Sequence, residues 1–174
     1  MVKKALAYLL FFGVIYPFSA AAEDTLARFK GGIGVIPVSS GVGLAPTAEV
    51  VNRNIVRGVQ PAGQIWVINN LDAVVTTDGH ITVGGKGLIL AGGNNAGRAA
   101  GQSVFATLIC EAAAPFIERS TTLTGVPLAP NGDFKIDDML SPAPSDCASP
   151  MLLIRNAAGL AWFAVGILKQ DSDN

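Results

Sequence analysis

Apolar and polar positions along much of this chain alternate with a period of two. Leu71, Ala73 and Val75 carry odd numbers, as do Ile81 and Val83, and Asp72 and Thr82 stand among the positions between them. Val126 and Leu128 share even numbers with Phe134 and Ile136 in the same way. This is the spacing of strands that bury one face. Turn-forming pairs separate the runs: Gly31-Gly32, Asp78-Gly79, Gly84-Gly85, Gly92-Gly93-Asn94-Asn95 and Asn131-Gly132. The pattern reads as short strands over 34–38, 54–59, 65–68, 71–76, 80–83, 87–91, 103–111, 121–126, 133–137, 151–155 and 160–168. Residues 160–165 are apolar on both faces and predict a central, covered strand. Beyond the N-terminal segment, no stretch keeps an apolar helical face for three turns. The nearest is Glu111-Ala112-Ala113-Ala114, which Pro115 stops. The fold class predicted is all-β: an antiparallel β-sandwich or partly open barrel of about 8–10 short strands.

Two turns predict their own register. A two-residue loop at Asp78-Gly79 would place Leu71, Ala73 and Val75 on the face opposite Ile81 and Val83. A three-residue loop, Thr77-Asp78-Gly79, sets Val75 against Ile81 and Ala73 against Val83, so the apolar sets share a face. The loop Pro130-Asn131-Gly132 likewise sets Leu128 against Phe134 and Val126 against Ile136. Such loops end on a residue with positive φ, which Gly79 and Gly132 supply.

The N-terminus follows another logic. Lys3 and Lys4 precede the apolar run 5–16, Pro17 breaks it, and Ala20-Ala21-Ala22 offers small residues for cleavage. Residues 1–22 therefore read as a cleaved signal peptide, and 23–174 as a single β domain with a frayed polar tail at 170–174. The run 151–168 is apolar enough to suggest a membrane span, but Arg155 and the turn chemistry of Asn156-Ala157-Ala158-Gly159 divide it into two strands. Export, to the periplasm or the medium, also gives the two cysteines a meaning. Cys110 and Cys147 are the only pair in the chain, and an even count in an oxidising compartment predicts one disulfide.

Composition narrows the chemistry. Of 174 residues, 50% are hydrophobic and 14% charged, about half the usual charged share. That excludes a disordered chain and a coiled coil. The formal net charge is −1. Signal removal takes away two of the twelve Lys and Arg and none of the thirteen acids, leaving −3 on the side chains. Neither value predicts a nucleic-acid partner or a membrane surface after cleavage. His80 is the only histidine. It follows Asp78-Gly79 in a predicted hairpin, and no G-x-S-x-G motif accompanies it, so it reads as a turn-side residue rather than a general base. Asp137 and Asp138 are neighbours on a predicted strand and point to opposite faces, a poor arrangement for a shared acid/base pair. Val83-Gly84-Gly85-Lys86-Gly87 lacks the spacing of a phosphate-binding loop. No catalytic residue, metal ligand or cofactor site is predicted. The one candidate ligand loop is the long stretch 91–102, in which Asn94, Asn95 and Arg98 offer two amides and a guanidinium to a polar ligand such as a sugar.

Several segments carry a resemblance: Arg28-Phe29-Lys30-Gly31-Gly32-Ile33-Gly34-Val35, Asn54-Ile55-Val56-Arg57-Gly58-Val59 and Trp66-Val67-Ile68 among them. Gly87-Leu88-Ile89-Leu90-Ala91-Gly92-Gly93-Asn94, Ala106-Thr107-Leu108-Ile109-Cys110, Leu152-Leu153-Ile154-Arg155 and Trp162-Phe163-Ala164 add to it. Together they resemble small uncharacterised secreted bacterial proteins of unknown function. The resemblance implies export and a compact domain, and carries no activity or site residue with it. The function expected is non-enzymatic binding of a ligand or protein partner through loops or a sheet face. A hydrolase or lyase using carboxylates gathered from several strands is the first alternative. A structural or assembly subunit with an exposed strand edge is the second. Two carboxylates converging in a concave site would favour the enzyme, and an aromatic or apolar patch would favour binding.

Overall fold

The computed structural model describes residues 24–42 and 50–169. The expected signal peptide and the tail at 170–174 lie outside the described residues. Thirteen strands are described, and no helix is among them: β1 (Thr25–Gly34), β2 (Val38–Val42), β3 (Val50–Arg53), β4 (Trp66–Val67), β5 (Asn70–Thr76), β6 (His80–Lys86), β7 (Ile89–Leu90), β8 (Ser103–Ile109), β9 (Arg119–Ser120), β10 (Val126–Pro127), β11 (Phe134–Met139), β12 (Met151–Asn156) and β13 (Trp162–Leu168). Nine of them form one antiparallel sheet in the order β10-β8-β12-β13-β1-β5-β6-β11, with β9 also on β8. Two small pairs, β2–β3 and β4–β7, stand outside it.

The two ends of that order, β10 and β11, are consecutive in sequence, so the sheet curls back on itself into a nearly closed barrel. Its seam is bridged at two places. Ala129 donates its amide to the carbonyl of Asp133 at 2.9 Å. Farther along, Ser120 and Ser141 exchange both backbone bonds at 3.0 and 2.9 Å, linking β9 to the chain just beyond β11.

Register carries the alternating pattern into the barrel. One row sets Phe29, Ala73, Val83 and Ile136 side by side across four strands, and all four are buried. The next sets Ala27, Val75 and Ile81 together. Val75 faces Ile81 and Ala73 faces Val83, as the three-residue loop requires, and Gly79 has φ +92°. The second turn keeps its expected register for one rung only. Gly132 has φ +82° and donates to the carbonyl of Ala129 at 2.8 Å, after which the strands part. Val126 pairs with Val104 and Ile136 with Val83. Pro127 lacks an amide to donate, Leu128 gives its own to Gln102, and β11 finds six partners along β6.

The predicted elements need four corrections. The predicted run 34–38 is not a strand over 35–37: the ten-residue β1 ends at Gly34 and β2 begins at Val38. Residues 54–59 form no strand. Val56 and Val59 exchange a tight pair of bonds around Arg57-Gly58 instead. The run 121–126 is largely turn, with short strands on either side. Residues 111–114 are bends, and no helix forms there. The predicted central strand is real: β13 lies between β12 and β1, with Trp162, Phe163 and Ala164 buried. The run 151–168 is the hairpin β12–β13, and no described helix is long and apolar enough to cross a membrane.

β8 and β12 are buried on both faces. On the outer one, Arg155 lies 5.3 Å from the ring centre of Phe105, donates from Nε to the carbonyl of Leu160 at 2.9 Å, and reaches Glu118 at 2.5 Å. The predicted disulfide is present: Cys110, at the end of β8, is bonded to Cys147, with Cα atoms 4.4 Å apart.

Candidate ligand-binding cleft

The small pair β4–β7 matters because of where it sets one side chain. Trp66 donates its amide to Val35 at 3.1 Å, and Val35 donates its own to Phe163 at 2.8 Å. Val35 thus stands between the two backbones and is itself buried. Across it the Trp66 and Phe163 rings stack, with centroids 4.0 Å apart and planes 14° from parallel. Both are almost wholly buried.

This aromatic pair lines a cleft of about 450 Å³. Its polar wall consists of Gln64, Asn95, Gln102 and Asn156. Asn156 donates from Nδ2 to the amide oxygen of Gln102, and its own oxygen accepts the Gly159 amide at 2.5 Å. Two of the four amides are thereby fixed by the turn that joins β12 to β13. The buried pair closes the base of the cleft together with Ala62, Leu90 and Ala161, an apolar base with amide donors and acceptors around it, the chemistry that fits a polyhydroxylated molecule.

The predicted ligand loop forms one side of this cleft. It is anchored on Leu90, whose amide bonds Arg98 at 3.1 Å and whose carbonyl accepts Gly97 at 2.8 Å. Turns at Gly93–Ala96 and Asn95–Arg98 fold it back over β7. Asn95 lines the cleft and also a second depression of about 510 Å³, which Arg98, Leu128 and Pro130 share. Asn94 lines neither. Of the three loop residues singled out from the sequence, Asn95 alone lines the cleft, while Trp66, Phe163, Gln64, Gln102 and Asn156 were not singled out. The aromatic residues looked like core, which they also are, and the amide pair is separated by 54 positions.

Five of the acidic residues take part in hydrogen bonds or ion pairs that hold turns and strands together. His80 Nε2 lies 2.8 Å from Asp137, diagonally across the β6–β11 pair, while Asp78 caps the turn by accepting the His80 amide at 3.0 Å. Asp138 accepts the Thr122 amide at 2.9 Å, which with the Met139 amide holds its carboxyl below the usual range. Asp133 accepts the Gly87 amide at 3.0 Å. Glu111 is bonded by buried Arg119 at 2.9 Å, which lowers its pKa to about 2. Among the described residues, no three His, Cys, Asp or Glu side chains gather where they could hold a metal ion. Comparison with protein families, with curated proteins and with solved structures finds no match.

Proposed function

We propose that this protein is an exported binding domain that takes a small polyhydroxylated ligand, such as a sugar, in the cleft over Trp66 and Phe163. The observation that carries the reading is the fixed aromatic stack at the edge of four amide side chains. Export rests on the n-region, apolar run and Ala20-Ala21-Ala22 of the leader. N-terminal sequencing of the exported protein is expected to begin at Glu23.

The cleft carries its own reporter. In a Trp162→Phe background, Trp66 is the only tryptophan left. Titration with neutral mono- and oligosaccharides is expected to change its emission, and Asn95→Ala or Gln64→Ala to weaken that response severalfold without altering the unfolding transition. Emission that stays constant across the series would overturn the reading.

A further inference from the structure

The outer face of β1, β5, β6 and β11 carries a second groove, of about 440 Å³, away from the aromatic cleft in sequence and lined by a different set of side chains. Its layout follows from register. Lys30, Asp72, Gly84 and Lys135 form one row across the four strands, and Arg28, Val74, Thr82 and Asp137 form the next. Lys169 lies beside Arg28, to whose carbonyl it donates its amide at 2.8 Å. Four cations, Arg28, Lys30, Lys135 and Lys169, thus line a groove that holds one carboxylate, Asp72. Among the described residues, neither Arg28 nor Lys30 makes an ion pair. Asp137 takes His80 and, at 3.9 Å, Lys135. Four of the seven exposed cations among the described residues of a chain with a net charge of −1 thus stand around one groove.

We propose that this groove binds an acidic oligosaccharide. Cations stand at both ends: Arg28, Lys30 and Lys169 on the β1 side, Lys135 on β11. Three strand spacings separate those ends, about 14 Å. The middle is different in kind. It offers the Asp72 carboxylate, which accepts a bond from Asn70 Nδ2 at 2.5 Å on one oxygen and repels an anion, and the Thr82 hydroxyl. Its floor is Val74 and Gly84, and nothing stands within 4 Å of where a Cβ on Gly84 would be. Anionic groups at the ends and hydroxyls between them answer that order of chemistry. An acidic peptide answers it less well. β1, β5 and β6 are each paired on both sides, so the floor of the groove has no free strand edge to bond a peptide backbone. Nor does an exposed aromatic ring line the groove for a nucleobase to stack on.

The test titrates the purified protein with a galacturonic acid tetramer, a neutral galactose tetramer, inorganic sulfate and a glutamate tetrapeptide. The acidic tetramer is expected to bind, with affinity falling about tenfold as salt rises through a Debye length of roughly 20 Å to one of 8 Å. Lys30→Ala and Lys135→Ala are each expected to weaken it severalfold. Gly84→Val fills the floor with a residue that favours strands and is expected to abolish binding while leaving thermal unfolding in place. Asn95→Ala, in the aromatic cleft, leaves this affinity unchanged, which separates the two sites. Binding of the neutral tetramer, the sulfate ion or the peptide that matches the acidic tetramer and is weakened equally by Lys30→Ala and Lys135→Ala would overturn the proposal, as would a folded Gly84→Val protein that binds the acidic tetramer as well as the parent.

Discussion

Trp66 and Phe163 stack across the backbone of Val35, which bonds to both of them. The contact ties an outlying two-stranded ribbon to the central strand of the barrel, so it serves the cleft and the fold at once. Phe163→Leu keeps apolar volume but loses the ring contact, worth about 1 kcal/mol. Trp66→Ala empties a buried site and is expected to cost about 3 kcal/mol or more. Urea unfolding followed by circular dichroism should rank them in that order.

Gly79 and Gly132 both have positive φ, yet they should respond differently to alanine. At Gly79 the added methyl group meets Ala143 and Pro144 side chains at 3.2 Å, a tight but yielding contact. At Gly132 it would lie 2.4 Å from the Leu88 carbonyl oxygen and 2.5 Å from the Leu88 nitrogen, inside a backbone bond that Leu88 donates to Gly132. Gly79→Ala is expected to destabilise by about 1 kcal/mol. Gly132→Ala should cost at least twice that, about 2 kcal/mol or more, because backbone must move and the seam of the barrel loses its one rung near Ala129.

What could be read in advance follows the range of the interaction concerned. The β5–β6 register is a local matter of period and turn length, so Leu71, Ala73 and Val75 could be placed against Ile81 and Val83 from the chain alone. β1 was obscured because Arg28, Lys30 and three glycines dilute its apolar signal, although Ala27 and Phe29 alternate into the core. At the second turn the local rule met competition: β10 found β8, and β11 found β6. Nothing local predicts that choice. The site is harder still. Asn156 meets Gln102 and Trp66 meets Phe163 only after the barrel forms. A net charge near zero likewise says nothing of four cations that register collects on one face.

Removing the disulfide by Cys110→Ala with Cys147→Ala is expected to lower stability by about 4 kcal/mol, the chain-entropy value for a loop of this length. The fold should survive. Ser149 donates its amide to Cys110 at 3.0 Å, and Arg57 holds the Ile109 and Ser149 carbonyls at 2.8 and 2.6 Å. Near-ultraviolet circular dichroism of the double variant should therefore match the parent at low denaturant. The intact parent should gain the mass of two hydrogens on reduction. Two freely alkylated thiols in the native protein would count against the bond.

Acid should expose the Glu111–Arg119 pair. Arg119 is buried, its Nη1 bonds the Ile117 carbonyl at 3.1 Å, and Glu111 supplies the countercharge at 2.9 Å. That bond, more than any other influence, lowers the Glu111 pKa from 4.5 to about 2. A carboxyl depressed on folding stabilises the native state fully above its unfolded pKa, and the contribution fades as pH falls through the folded value. The window is therefore pH 4.5 down to about 2. Glu111→Gln should destabilise the protein at neutral pH by about 2 kcal/mol, since it leaves a buried guanidinium without its charge partner while one side stays near water. The gap between parent and variant melting temperatures should hold steady from pH 7 to 5, narrow below 4.5 and close near pH 2. A gap independent of pH across that range would mean that the amide loses shape or hydrogen bonding there, and that the charge of Glu111 contributes nothing to holding Arg119.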